Sequence, residues 1–146
     1  MSRASRHLVH VLLSLVAGHA SAQALLCTED AAAGFVFDKQ TKSWVATTAK
    51  PSHKYVVRKS SNSLAKLEIG ELGTKAPVAF CESDFEQEQV RCRGYFQEFF
   101  INRSEMRFTR IYYAGYWNES SLKELAPGRK EGDDSPSVFI GTCTGI

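Results

Sequence analysis

Four cysteines constrain this chain more than any other feature: Cys27, Cys81, Cys92 and Cys143. An even count in an exported chain argues for two disulfides. Three pairings are open, and a geometric test favours Cys81–Cys92 with Cys27–Cys143. If residues 78 to 93 fold into a hairpin with Cys81 opposite Cys92, Ala79 faces Gly94 and Ser83 faces Val90. The other face then pairs Phe80 with Arg93 and Glu82 with Arg91, so opposite charges meet across the strands. Directly opposed cysteines place their Cβ atoms near bridging distance. The remaining pair ties the first mature residues to the last, and the chain ends should meet.

Export is read from residues 1 to 22. Arg3 and Arg6 precede an apolar stretch from Leu8 to Ala17, and Ala20-Ser21-Ala22 offers small residues before Gln23. The stretch falls short of the ~20 apolar residues a spanning helix needs, and no second such run follows, so no membrane insertion is expected after cleavage. Residues 23–146 then form a single disulfide-stabilised β domain, soluble and monomeric, in a periplasmic or secreted location. Losing Arg3 and Arg6 leaves 16 basic residues against 16 acidic ones. Without net positive charge, nucleic acid is not an expected partner. His7, His10 and His19 leave with the signal, and His53 alone stays. That removes a multi-histidine metal site.

Periodicity reads as strand almost throughout. Gly34–Phe37 and Trp44–Thr47 form a hairpin with Phe37 opposite Trp44, which gathers Phe35, Phe37, Trp44 and Ala46 on one face that needs a second layer to cover it. Strands follow at Tyr55–Val57 and Ala65–Ile69, the latter also admitting a helical turn. Tyr95 to Trp117 reads as a long hairpin broken at Asn102–Glu105, with Ile101 facing Met106, Phe99 facing Phe108 and Phe96 facing Ile111. Both sides carry apolar residues, so the pair should switch its buried face, as a barrel corner or bulge does. Residues 118 to 136 are polar and too long for a simple turn, and the last strand is Ser137–Cys143. The fold class is all-β: a small antiparallel meander barrel, with a two-sheet sandwich as the alternative.

Candidate sites are few. Arg91, Arg93, Arg107 and Arg110, with Tyr112, Tyr116 and Trp117, interleave arginine and aromatic residues as a binding surface does. The plainer reading is pairing of these arginines with acids such as Glu82 and Glu98, and aromatic core. Arg103, Tyr95 and Tyr113 lie among them. Glu82, Asp84, Glu86 and Glu88 crowd a hairpin tip, and Asp133-Asp134 form another; both read as solvated turns, without calcium-loop spacing. His53 sits in Pro51-Ser52-His53-Lys54 with no nucleophile elbow, and reads as a solvated side chain. Asn102-Arg103-Ser104 and Asn118-Glu119-Ser120 match the N-glycosylation pattern, which matters only in a eukaryotic secretory pathway. No catalytic residue, metal ligand or cofactor is assigned.

Cys92-Arg93-Gly94, Phe108 through Gly115-Tyr116-Trp117, and Asp134-Ser135-Pro136 running into Ile140-Gly141-Thr142-Cys143 resemble small exported proteins of alphaproteobacteria over the C-terminal half. That resemblance implies export and carries no activity across. Size, disulfides and the expected barrel are also similar to those of periplasmic lysozyme inhibitors, at fold level only, since their inhibitory motif finds no place on these residues. The expectation is a non-enzymatic binding protein acting on a protein or envelope component. The alternatives are a small-ligand carrier, if the barrel is hollow, and a small periplasmic hydrolase or lyase using acidic residues.

Overall fold

The computed structural model describes residues 24–116, 124 and 128–146. Nine antiparallel strands follow in chain order: β1 (Ala24–Asp38), β2 (Ser43–Ala49), β3 (Lys54–Lys59), β4 (Leu67–Glu71), β5 (Pro77–Cys81), β6 (Gln89–Gly94), β7 (Gln97–Asn102), β8 (Arg107–Tyr112) and β9 (Ser137–Gly145). They are ordered β2-β1-β3-β4-β5-β6-β7-β8-β9, and β9 returns to pair with β1. Eight strands therefore close a barrel, and β2 lies outside it on β1. Closure pairs the two ends of the sheet with each other, edges that a sandwich would have to protect.

The length of β1 makes both arrangements possible. Ala24–Thr28 pairs with β3, Ala32–Asp38 pairs with β2, and Leu25–Gly34 lies along β9. Between the two halves the β9 ladder shifts register at Glu29/Ala31, so Asp30 is an extra residue. A bulge bends its strand. Beyond it Ala32–Gly34 runs between β9 and β2, and Phe35–Asp38 continues with β2 alone as a two-stranded arm. The strand thus begins ten residues before Gly34, where the sequence pattern placed its start. Asp30 and Ala31 are both exposed while Glu29 is buried, and this interrupts the apolar alternation.

Inward-facing residues of the barrel strands fill the interior. Leu25, Tyr55, Val57, Leu67, Ile69, Val90, Phe99, Ile101 and Phe108 form one cluster with all four cysteines. Each large apolar side chain so buried contributes ~1.5–3 kcal/mol before entropy is counted. Cys27 pairs with Cys143 and Cys81 with Cys92, each pair directly opposed in its ladder, so the expected connectivity is observed. Ala79 faces Gly94 and Phe80 faces Arg93 as anticipated. The ladder ends at Cys81–Cys92, however, so Glu82 does not take Arg91; Glu98 does.

The β7–β8 hairpin corrects the sequence reading. Ile101 faces Phe108, Phe99 faces Arg110, and Ile111 faces Glu98. The register is two residues away from the expected one because the four-residue turn lies one position further along the chain, at Arg103–Met106 rather than Asn102–Glu105. Asn102 and Arg107 close it, Asn102 Oδ1 accepts the Glu105 N–H (3.0 Å) and the Ser104 hydroxyl (2.8 Å), and Met106 takes a left-handed φ of 51°. Phe96 belongs to the tight turn between β6 and β7, with φ of 60°. A shift of two preserves the face of every side chain. The pair therefore buries Phe99, Ile101 and Phe108 on one side and shows Phe100 on the other, with no switch of buried face.

Candidate functional site

Strand alternation divides the arginine–aromatic residues between two faces. Arg91, Arg93 and Arg107 point outward; Arg110 and Tyr112 share the inward face with Phe108. Arg110 is therefore no surface residue. Its Nη1 donates to Glu29 Oε1 (3.0 Å) and to the Tyr55 hydroxyl (2.7 Å), and its Nε donates to Gln97 Oε1 (2.8 Å). The guanidinium also lies 4.4 Å from the Phe139 ring centroid. Glu29, whose side chain has no exposed area, accepts from Tyr55 and from the backbone N–H of His53 as well. Burial raises the Tyr55 hydroxyl above its usual range, with the nearby Arg110 charge opposing the shift. This polar cluster is satisfied within the fold and holds β1, β3, β7 and β8 in one arrangement.

Tyr112 donates to Asp134 Oδ1 (2.6 Å), and Arg129 pairs with the same carboxylate. Asp134 is thus buried rather than part of a solvated tip. Burial, followed by the bond to Asp134, pushes the Tyr112 hydroxyl up to about 12. A folded-state value above the unfolded one favours the folded state below pH ~10, and that contribution is lost as pH rises through the folded value. The melting temperature should fall across an alkaline titration from pH ~10 towards ~12, and Tyr112→Phe should make that fall shallower.

On the outer surface Glu98 accepts from Arg91 Nη2 (2.6 Å) and lies 3.7 Å from Arg93 Nε, so the pairing of these arginines with an acid is observed. Arg91 also sits 5.3 Å from the Phe100 ring centroid. Arg103 lies against Phe85. Arg107 is exposed and makes no ion pair among the described residues; it borders a hollow of about 830 Å³ with Asp30, Phe100 and Ile140. Trp117 lies outside the described residues, as do the 118–127 positions apart from Glu124, and the signal segment.

A second, more apolar hollow lies where the arm leaves the barrel wall. One cross-strand row runs from Thr48 on β2 through Ala33, Val138 and Ile111 to Glu98 on β7. Beside it, Phe35 and Trp44 from the arm and Tyr113 and Tyr116 beyond β8 enclose a cleft of about 760 Å³ with almost wholly apolar walls. Phe37 faces Trp44 and Phe35 faces Ala46, which is the hairpin register expected from the aromatic face. The Trp44 ring meets Tyr116 edge-on at 5.7 Å and Phe37 at 5.6 Å. Phe35 N–H donates to the Pro136 carbonyl (2.9 Å), pinning the arm to the segment before β9. Gly34 permits this approach, because a Cβ there would collide with the same carbonyl. Phe35 remains 52% exposed and Tyr116 71%, so the aromatic walls are open to a partner. No family model, curated protein or solved structure matches this chain.

Several acidic side chains outside the cleft are engaged locally. Asp84 Oδ1 accepts the Glu86 N–H (2.7 Å), and Glu88 accepts the Ser104 hydroxyl (2.7 Å). Buried Glu68 accepts from Arg58 Nε (2.9 Å), the Ser60 hydroxyl and Ser61 N–H. Burial opposes its ionisation, and these donors outweigh burial and hold the carboxyl below its usual range. His53 is not simply solvated: Nδ1 lies 2.6 Å from Glu71 Oε1 and the ring stacks on Tyr55. Among the described residues, no three His, Cys, Asp or Glu side chains converge as a metal site would require, and no helix is long and apolar enough to cross a membrane. The two disulfides point to an oxidising, non-cytoplasmic location.

Proposed function

We propose that this chain is an exported, non-enzymatic binding domain of the cell envelope, and that it seats apolar groups of a partner protein in the cleft between the β1–β2 arm and the barrel wall. The observation that carries this reading is the open aromatic cleft itself: Phe35, Trp44, Ile111, Tyr113, Tyr116 and Val138 around about 760 Å³. Exposed apolar patches with aromatic walls are costly to leave in water and mark interaction sites. Two further features support a binding role over catalysis. The buried carboxylates of Glu29, Glu68 and Asp134 are each committed to Arg and hydroxyl donors. The interior is occupied by packed side chains, which favours a surface site over a carrier's hollow lumen. The layout of residues 1–22, together with the disulfides, supports export to a periplasmic or secreted location.

The cleft volume also falls within the ~300–1,000 Å³ common for small-molecule sites. That favours, as a second reading, a small apolar ligand held in the same place. Capture from an envelope extract of the producing organism separates the two. The oxidised wild-type protein should retain a protein partner, and Val138→Asp should lower retention at least tenfold by placing a charge in the apolar wall. Arg91→Ala should leave it unchanged. Equal retention by Val138→Asp, with its melting temperature preserved, would overturn the cleft assignment. Release of an apolar small molecule on denaturing the wild-type protein would favour the second reading.

A further inference from the structure

The arm carries a second feature beside the cleft. Strand β2 pairs with β1 along an unbroken register from Ala32–Ala49 to Asp38–Ser43, and among the described residues its other edge has no partner. Open edges are usually defended by charge, proline, a bulge or shortness. Here the edge runs for seven residues, Ser-Trp-Val-Ala-Thr-Thr-Ala, without a charge, a proline or a bulge. Its chemistry is therefore that of a template, since unpaired backbone N–H and C=O groups accept an additional strand.

The charges at its two ends select the occupant. Lys42 precedes the strand and Lys50 follows it, and neither makes an ion pair among the described residues. Asp38, the acid nearest the turn, is already taken up by the Gln40 N–H (2.8 Å) and the Thr41 hydroxyl (2.9 Å). The backbone bond from Gln40, then that hydroxyl, hold its carboxyl below the usual range. A second copy of the chain fits poorly. Antiparallel pairing of two β2 strands about Ala46 sets each Lys42 opposite a Lys50, and parallel in-register pairing sets each lysine beside its equivalent. Like charges directly opposite destabilise a strand pair.

We propose that the free edge of β2 takes an extended segment of a partner protein, uncharged over its centre and acidic at both ends. This rests on the binding role proposed above and names the form in which the partner arrives. An added strand continues the pleat of the sheet, so its alternate side chains prolong the face that carries Trp44 and Ala46, adjoining the cleft. Backbone pairing would provide affinity, the cleft would select apolar side chains, and the lysines would fix the ends.

The test uses the oxidised full-length mature protein and synthetic nine-residue peptides. One has an alternating valine–threonine centre with glutamate at both ends, one has lysine at both ends, and one has the glutamate ends with a central proline. The glutamate peptide should bind, measured by anisotropy of a labelled peptide, and should slow amide hydrogen exchange within Ser43–Ala49. The lysine and proline peptides should bind at least tenfold more weakly. Lys42→Glu/Lys50→Glu should reverse the preference between the two end charges. Equal binding of both charged peptides, no binding of either, protection confined to other strands, or dimerisation of the wild-type protein through β2 would each overturn the edge proposal. If the edge proposal fails while envelope capture stays sensitive to Val138→Asp, the cleft reading survives. If capture is insensitive to Val138→Asp, the cleft reading fails whatever the peptides do.

Discussion

The double variant Cys27→Ala/Cys143→Ala should lose about 5 kcal/mol of folding stability, the larger of the two disulfide effects. The bridge spans a sequence separation of 116 residues, against 11 for Cys81–Cys92. In the chain-entropy account, the longer loop restricts the unfolded ensemble more, so Cys81→Ala/Cys92→Ala should cost roughly 3 kcal/mol or less from this source. Position adds to the difference. Cys27 and Cys143 sit where β1 meets β9, the ladder that closes the barrel. A domain of this size holds only ~5–15 kcal/mol in total, so loss of the closing bridge removes a large share. Denaturant midpoints of the oxidised wild type and the two double variants, measured side by side, give the ranking. If the two variants lost equal stability, loop length and closure would not be what the longer bridge supplies.

Much of this architecture was legible because it is local or is marked by unusual residues. The Cys81–Cys92 register follows from two cysteines that must oppose each other, and the Phe37–Trp44 register from a short turn and a shared aromatic face. The β7–β8 register was misread for a definite reason. Phe96, Phe99, Phe100, Ile101, Phe108 and Ile111 offer apolar partners in several alignments, and the turn capped by Asn102 decides between alignments that hydrophobicity leaves equivalent. The first half of β1 was missed because a buried glutamate and the residues of a bulge break its alternation.

The candidate site was legible only in part. The aromatic face of the first hairpin was readable, as was its need for a cover. What stands beside it, Ile111, Tyr113, Tyr116 and Val138, comes from distant parts of the chain that barrel closure brings together. Tyr112 and Tyr116, both among the candidates read from the arginine–aromatic stretch, do line the cleft, whereas Arg110 from the same stretch points inward and does not. A signal was present. Phe108, Arg110 and Tyr112 alternate with Thr109 and Ile111, so any register that buries Phe108 turns Arg110 inward. The acid that makes such burial tolerable lies 81 residues away in sequence, where no local pattern could reveal it.

That distant pair sets the second large effect. Arg110→Ala should destabilise the domain by roughly 3–5 kcal/mol, because it leaves the Glu29 carboxylate buried without its counter-charge. The Glu29 side chain has no exposed area and that of Arg110 only 13%, so neither solvent nor salt can replace the missing partner. Tyr55 and the His53 N–H would still donate to Glu29, which limits the loss but supplies no positive charge. Glu29→Gln should cost less, since Arg110 keeps its bonds to Tyr55 and Gln97. The double variant Arg110→Met/Glu29→Gln removes both charges at similar volume and should recover much of the stability lost in Arg110→Ala. Denaturant titration of the two single variants and the double variant tests the scheme, and a loss below ~1 kcal/mol in Arg110→Ala would show that the pair does not carry the cluster. Because Arg110 faces the interior, the double variant should also capture a partner as well as the wild type does. A stable double variant that had lost capture would return Arg110 to the binding surface and displace the cleft.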